Sequence, residues 1–124
     1  MYPTLELDYN KLLDMVSEMG YRLMKSGAEI YRVEESIQRL LQAYGAPRGE
    51  VFAIPNCLMV SLTSPDGRPV TQIRRMPTHG TDIYLLEKYN GLGRRLCRET
   101  PAFEEALEQM EAITRTHRVY SLPT

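Results

Sequence analysis

The feature that most constrains this chain is the segment from Ser26 to Tyr44, SGAEIYRVEESIQRLLQAY. Its apolar residues recur at spacings of three and four, which predicts a helix with one broad apolar face. These residues are Ile30, Val33, Ile37, Leu40, Leu41 and Tyr44. Gly45 follows where a helix end favours a left-handed residue, and Pro47 prevents continuation. We therefore expect the rest of the chain to be organised around this helix.

The start of this helix carries specific polar residues. Ser26 and Glu29 have the spacing of a capping box, in which each side chain accepts a hydrogen bond from the other residue's amide. Gly27 would allow the helix start to approach a neighbour closely. Glu34 falls at the edge of the apolar face, where a carboxylate needs a partner, and arginine is the natural one.

Hydrophobic periodicity predicts an earlier helix and a change to strands after Gly45. A first helix from about Tyr9 to Lys25, capped by Asp8, would form a helical hairpin with the helix that follows. Short alternating segments separated by turn residues then predict three antiparallel strands. The predicted strands are Glu50–Ile54, Cys57–Thr63 and Val70–Met76.

Two further helices are expected after the strands. The third runs from about Asp82 to Arg98, with Thr81 or Thr78 as its N-cap. The fourth begins with Thr100 as N-cap and Pro101 as its first residue, because proline is favoured at that position. Glutamates in its first turns suit the helix dipole.

This order of elements predicts the α+β class. We expect two N-terminal helices, a three-stranded antiparallel sheet and two C-terminal helices, with the helices packed on one face of the sheet. A length of 124 residues fits a single core. The expected organisation is an N-terminal arm over 1–8, one domain over 9–115 and a tail over 116–124.

Composition excludes several classes of protein. The net charge of -1 argues against a nucleic-acid partner, which would require a strongly basic surface. Cys57 and Cys97 form no zinc pattern, His79 and His117 have no ligand partner at useful spacing, and we expect free thiols and no metal or other cofactor. No apolar run approaches the roughly 18 residues of a membrane span, so the chain as given is expected to be soluble.

Four segments together resemble the N-terminal soluble domain of the threonine/serine exporter family of bacterial inner-membrane proteins. They are SGAEIYRVEESIQRLLQAYG (26–45), EVFAIPNCLMVSLTSPDG (50–67), VTQIRRMPTHGTDI (70–83) and LEKYNGLGRRL (86–96). The resemblance covers roughly residues 10–115. The SGAE-x-x-RVE segment followed by a strand that ends in paired arginines is its most specific part.

The resemblance implies that this chain is the cytoplasmic part of an inner-membrane transporter that exports small amino acids or related organic acids, in which it would have a regulatory, gating or assembly role. Its partners would be its own missing transmembrane helices or a companion membrane subunit, and a homo-oligomer is possible. The alternative is a stand-alone module that binds a small carboxylate or forms oligomers. The basic residues Arg115, His117 and Arg118 fit the cytoplasmic flank of a membrane helix, and Tyr120 fits an interfacial anchor. A plain disordered tail is the alternative for this segment.

A candidate ligand site follows from the residues that match the family pattern. A pocket where the second helix meets the third strand could bind a small carboxylate, because arginine grips carboxylates with two hydrogen bonds. Free amides near Ser26 would assist an anion. The candidate residues are Ser26, Gly27, Arg32, Glu34, Asn56, Arg74 and Arg75. The alternative is an Arg75–Glu34 ion pair that fixes the sheet to the helix, with Arg32 and Arg74 solvated.

Two other functions are weighed against a regulatory ligand site. A hydrolase could use Ser26, Ser61 or Cys57, but no GxSxG motif is present and no histidine is fixed beside them, so we expect no enzyme. An assembly module would use the sheet face or the later helices to form oligomers or to dock a membrane subunit. An assembly module should expose an apolar patch, whereas a sensor should show a concave pocket lined by arginine.

Overall fold

The computed structural model describes residues 7–77 and 80–121, with side chains as far as Val119. Four helices and three strands follow one another in the predicted order. They are α1 (Tyr9–Lys25), α2 (Ile30–Ala43), β1 (Glu50–Ile54), β2 (Cys57–Thr63), β3 (Pro69–Arg75), α3 (Ile83–Glu99) and α4 (Phe103–Ser121). The strands form one antiparallel sheet in the order β1-β2-β3. The predicted α+β class is confirmed.

The helices cover one face of the sheet in two tiers. Helices α1 and α2 contact the strands, and α3 and α4 pack against that first pair rather than against the described part of the sheet. Leu58, Val60 and Leu62 of the central strand point towards α1 and α2 and are buried. Because side chains alternate along a strand, the intervening residues lie on the opposite face, which no described helix covers.

Helix α1 is the centre of the molecule, and it contacts α2, β2, β3, α3 and α4. Its buried residues occupy most of its circumference: Leu12, Leu13, Met15, Val16, Ser17, Met19, Gly20, Leu23 and Met24. A helix that is apolar around most of its surface must be enclosed on several sides. The chain is therefore organised around α1, whereas the sequence favoured the helix that follows it.

The junction between α1 and α2 corrects the predicted capping box. Helix α2 begins at Ile30, its N-cap is Glu29, and no side chain caps it. Ser26 is instead the C-cap of α1, and its Oγ donates to the carbonyl of Arg22 at 2.8 Å. Gly27 has a φ of 101°. This left-handed glycine ends the first helix, so the serine before it serves that helix and not the next one.

The start of α3 also differs from the prediction. Asp82, rather than Thr81, is the N-cap, and its carboxylate accepts a hydrogen bond from the Leu85 amide at 3.1 Å. Aspartate is among the strongest N-cap residues because its charge also favours the positive end of the helix dipole. The other predicted cap, Thr78, and the adjacent His79 lie outside the described residues.

Helix α4 begins later and ends later than predicted. Thr100 is the C-cap of α3, with a φ of 40°, and is not the N-cap of α4. Helix α4 starts at Phe103 and continues to Ser121, so the predicted tail begins as helix. Residues 1–6 of the predicted arm and 122–124 of the tail lie outside the described residues.

We predict that Gly27→Ala lowers the free energy of unfolding by about 2–3 kcal/mol. Gly27 has a positive φ, and an added Cβ would lie 2.9 Å from Thr81 Cα, a backbone atom that cannot move independently. Gly45→Ala is the matched control, because Gly45 also has a positive φ but open space around it. The control should cost about 1 kcal/mol, from backbone strain alone. Urea unfolding of both variants tests this, and equal losses would contradict the close contact with Thr81.

Candidate functional site

The predicted Arg75–Glu34 pair does not form. Glu34 Oε2 accepts a hydrogen bond from the backbone N–H of Ala53 at 3.1 Å, and so covers the free edge of β1. Arg74 points towards the helices, and its neighbour Arg75 therefore points to the uncovered face of the sheet. Among the described residues, no acidic side chain pairs with Arg75. The prediction was wrong because it placed the second arginine on the helical side.

The predicted anion site at the start of α2 is also corrected. The amides of Ser26, Gly27 and Ala28 donate to carbonyls of the last turn of α1, at 3.0 Å each. These amides close the C-terminus of α1, so they are not free to bind an anion. Arg32 is exposed and lies in a cleft between α2 and α3, and Asn56 is exposed in the turn between β1 and β2. The predicted residues therefore do not converge on one site.

The structure instead gathers polar groups around Arg22, on the α1 face that meets α3 and α4. The Arg22 guanidinium donates from Nε to Glu18 Oε2 at 2.6 Å and from Nη2 to Glu111 Oε2 at 3.0 Å. Its Nη1 lies within 3.0 Å of the Tyr89 hydroxyl and 2.9 Å of Thr114 Oγ1. The same nitrogen also donates to the Met110 carbonyl at 3.0 Å. We name Glu18, Arg22, Arg74, Tyr89, Glu111 and Thr114 the Arg22 cluster.

Glu18 connects this cluster to the sheet. Its Oε1 accepts a hydrogen bond from Arg74 Nη1 at 2.8 Å, so one carboxylate bridges two guanidinium groups. Arg74 Nε in turn donates to Gln72 Oε1 at 2.7 Å, and Gln72 donates to Asp14 at 2.6 Å. A continuous polar chain therefore runs from α1 through β3 and back to α3 and α4.

The electrostatics of the cluster favour the charged forms. Burial disfavours the ionised carboxylate of Glu18, but the hydrogen bonds from Arg74 and Arg22 outweigh it, so the pKa of Glu18 lies below its ordinary value. For Arg22, burial acts to lower the pKa, and the hydrogen bonds with Glu18, Glu111 and Tyr89 raise it above the ordinary value. Glu18 and Arg22 therefore both stay charged at neutral pH, and their ion pair acts as a structural tie.

An open cleft of about 500 Å³ adjoins the cluster, between the ends of α1 and α4 and the start of α3. Asp82 lies on its wall, where its backbone N–H donates to the Ser26 carbonyl at 3.0 Å. The hydrogen bond from the Leu85 amide holds the pKa of Asp82 below its usual range, and His117 adds to this effect at 2.8 Å from Asp82 Oδ2. His117 also stacks on Tyr84, with ring centroids 4.8 Å apart. Asp82 thus joins three helices at one point.

Sequence reasoning missed this cluster, although a signal was present. Glu18 and Arg22 have the i, i+4 spacing of a helical ion pair. Arg22 also lies one turn after Met19, at the edge of the apolar side of this predicted helix, where its guanidinium can meet a packed surface. The partners on α3 and α4 had no comparable signal, because they are far away in sequence.

The uncovered face of the sheet carries a row of apolar side chains. Phe52 pairs with Met59 on the neighbouring strand, and Met59 pairs with Ile73 on the next, so the row crosses all three strands. The exposed fractions are 59% for Phe52, 38% for Met59 and 57% for Ile73. Ile54, on the same face, is 42% exposed. We call this surface the outer sheet face.

Comparisons with known proteins identify relatives over nearly the whole chain. A family model described as "Putative threonine/serine exporter" matches residues 14–124. A "Probable threonine/serine exporter" of Mycobacterium tuberculosis is 28% identical over 116 residues, which cover 93% of this chain and 22% of that protein. No solved structure matches the chain. Within residues 7–77 and 80–121, no helix has the length and hydropathy that crossing a membrane requires.

We predict that Arg22→Lys lowers the free energy of unfolding by about 2–4 kcal/mol. Lysine keeps the charge but cannot reproduce the planar fork that reaches Glu18 and Glu111 together, so half-buried acceptors lose their donors. The control is Arg115→Lys, at an exposed ion pair with Glu108. Denaturant unfolding should show a loss below about 0.5 kcal/mol for the control. Similar losses for both variants would contradict the role of the cluster.

We also predict that the stabilising effect of Glu18 depends on pH. The pKa of Glu18 is lower in the folded protein than in the unfolded chain, so the unfolded state binds the proton more readily. Its contribution is therefore complete above the unfolded value of about 4.3 and is lost as the pH falls through the lower folded value. The difference in stability between the wild type and Glu18→Gln should shrink between about pH 5 and pH 2. A difference that stays constant over this range would contradict the prediction.

Proposed function

The chain belongs to the threonine/serine exporter family, and from that premise we propose that it forms a cytosolic N-terminal domain of an exporter-type membrane transporter. The transporter would export small amino acids or related organic acids. Within it, this domain would have an assembly role and would dock through the outer sheet face. The localisation that follows is the cytoplasmic side of the bacterial inner membrane.

The observation that supports an assembly role is the apolar row of Phe52, Met59 and Ile73. An antiparallel sheet with helices on one face normally presents polar side chains to water on the other. Here three directly paired residues expose apolar atoms instead, and Ile54 extends the patch along β1. Contiguous apolar surface of this kind marks interaction sites on soluble domains.

We propose that the occupant of the outer sheet face is the membrane-embedded part of the exporter. The similarity to the mycobacterial exporter involves 22% of that protein, so most of such a transporter lies beyond the region that this chain matches. Burial of the apolar row against another part of the transporter would supply most of the association energy.

We predict that Phe52→Thr together with Ile73→Thr abolishes export while leaving the domain folded. Threonine suits strands, and both side chains are exposed, so the stability of the domain should change by less than about 0.5 kcal/mol per site. The measurement is threonine release from cells that lack the gene and carry either the wild-type or the variant copy. Release with the variant should fall to the level of the cells without the gene.

Ile83→Thr is the matched control for this experiment. Ile83 is 68% exposed at the start of α3 and lies on a different surface, so its replacement should leave export unchanged. Immunoblots must show equal amounts of all three proteins. If the sheet-face variant released threonine at the wild-type level, the proposed docking role would be wrong.

A further inference from the structure

A second cleft, between α2 and α3, has no role in the docking proposal. Its volume is about 390 Å³, within the range of sites for small molecules. Four arginines line it: Arg32 and Arg39 from α2, and Arg94 and Arg98 from α3. We call it the arginine cleft.

The spacing of these arginines places each pair on one face of its helix. Arg32 and Arg39 are two turns apart on α2, and Arg94 and Arg98 are one turn apart on α3. Both helices therefore contribute two arginines to the lining of the same cleft. Sequence inspection identified Arg32 as a ligand-binding candidate but assigned it to a different set of partners.

The charges in the arginine cleft are not balanced within the chain. Glu35 is the one carboxylate on its wall, and it already pairs with Arg39 at 2.7 Å. Within residues 7–77 and 80–121, neither the Arg94 side chain nor the Arg98 side chain has a hydrogen-bond or ion-pair partner. Since the whole chain has a net charge of -1, this excess of positive charge is local. A concave basic surface concentrates anions.

A structural role explains only part of this arrangement. Arg98 is in the last turn of α3, where a positive charge is favoured by the helix dipole. Arg94 lies one turn earlier, next to a like charge at i+4, which costs stability rather than adding to it. An anion bound between them would remove that repulsion.

The floor of the arginine cleft is apolar. Leu23 and Tyr89 form it, and each is only 2% exposed. We propose that the arginine cleft binds a small organic anion with two or more carboxylates, whose charges pair with the arginines and whose carbon skeleton rests on this floor. The inference does not rest on the docking role of the sheet face, so either proposal can fail alone.

The first test is thermal unfolding of this 124-residue chain with citrate, at constant ionic strength. Citrate well above its dissociation constant should raise the midpoint by several degrees. Threonine, whose ammonium group cancels its carboxylate, should have no comparable effect, and inorganic phosphate should have less because it lacks a carbon skeleton. Equal shifts with citrate, threonine and phosphate would overturn the proposal, as would no shift with citrate.

The variant for this test is Arg94→Gln with Arg98→Gln, and the matched control is Arg48→Gln. Arg48 is exposed in the connection between α2 and β1, outside the arginine cleft. The double variant should weaken citrate binding at least tenfold, and the control should leave it within about twofold. If citrate binding were weakened equally in the double variant and the control, the effect would be one of overall charge, and the proposed site would be wrong.

A second readout uses the wild-type protein and its two cysteines. Cys97 lines the arginine cleft, where burial raises the pKa of its thiol, and Cys57 lies on the outer sheet face. Citrate should slow the alkylation of Cys97 by neutral iodoacetamide and leave the alkylation of Cys57 unchanged. Equal protection of both thiols, or protection of neither, would overturn the proposal without any variant.

Discussion

The packing of α3 and α4 on α1 depends on the hydrogen bonds of the Arg22 guanidinium. Arg22 lies on α1, and its acceptors come from α1, α3 and α4, while Glu18 joins it to Arg74 on β3. Removing one member of such a group leaves the others desolvated and unpaired, which costs more than the intact pairs contribute. The apolar core permits many relative positions of the helices, whereas a fork with five acceptors permits few. The cluster therefore specifies how the second tier of helices sits on the first.

The elements that follow from local hydrophobic periodicity could be predicted from the sequence. The role of a residue that lies between two elements could not, because the sequence does not show which of the two elements the residue belongs to. The alternation of Cys57–Thr63 and the helical spacing of Tyr9–Lys25 place these elements at the observed bounds. Ser26 has the same short-range signal in both possible roles, because a serine near Gly27 can cap the helix behind it or the helix ahead. The left-handed backbone at Gly27 decides between them, because it closes α1 and leaves Ser26 as the C-cap of that helix.

The Arg22 cluster could not be predicted from the sequence for a related reason. Arg74 and Arg75 look equivalent in the chain, yet a pleated strand sends them to opposite faces. Which face the helices cover is decided by Leu58, Val60 and Leu62 on the neighbouring strand, which share the inner face with Arg74 through the register Leu58↔Arg74. Arg74 therefore enters the Arg22 cluster, and Arg75 belongs to the outer sheet face with Ile73. Two consecutive positions on β3 therefore have different roles: Arg74 links the sheet to the helices, and Arg75 is a surface residue.

Tyr89 connects the arginine cleft to the Arg22 cluster. Its ring is part of the floor of the arginine cleft, and its hydroxyl accepts a hydrogen bond from Arg22. From Arg22 the contacts continue through Glu18 to Arg74 on β3, whose neighbouring residues form the outer sheet face. An anion bound in the arginine cleft would affect the sheet only if these contacts had two alternative conformations and the anion bound one of them more tightly. By reciprocity, docking at the sheet would then change the affinity of the cleft by the same factor. Comparing citrate affinity in the isolated chain and in the assembled exporter measures that coupling directly, since an unchanged affinity means that the two surfaces work independently.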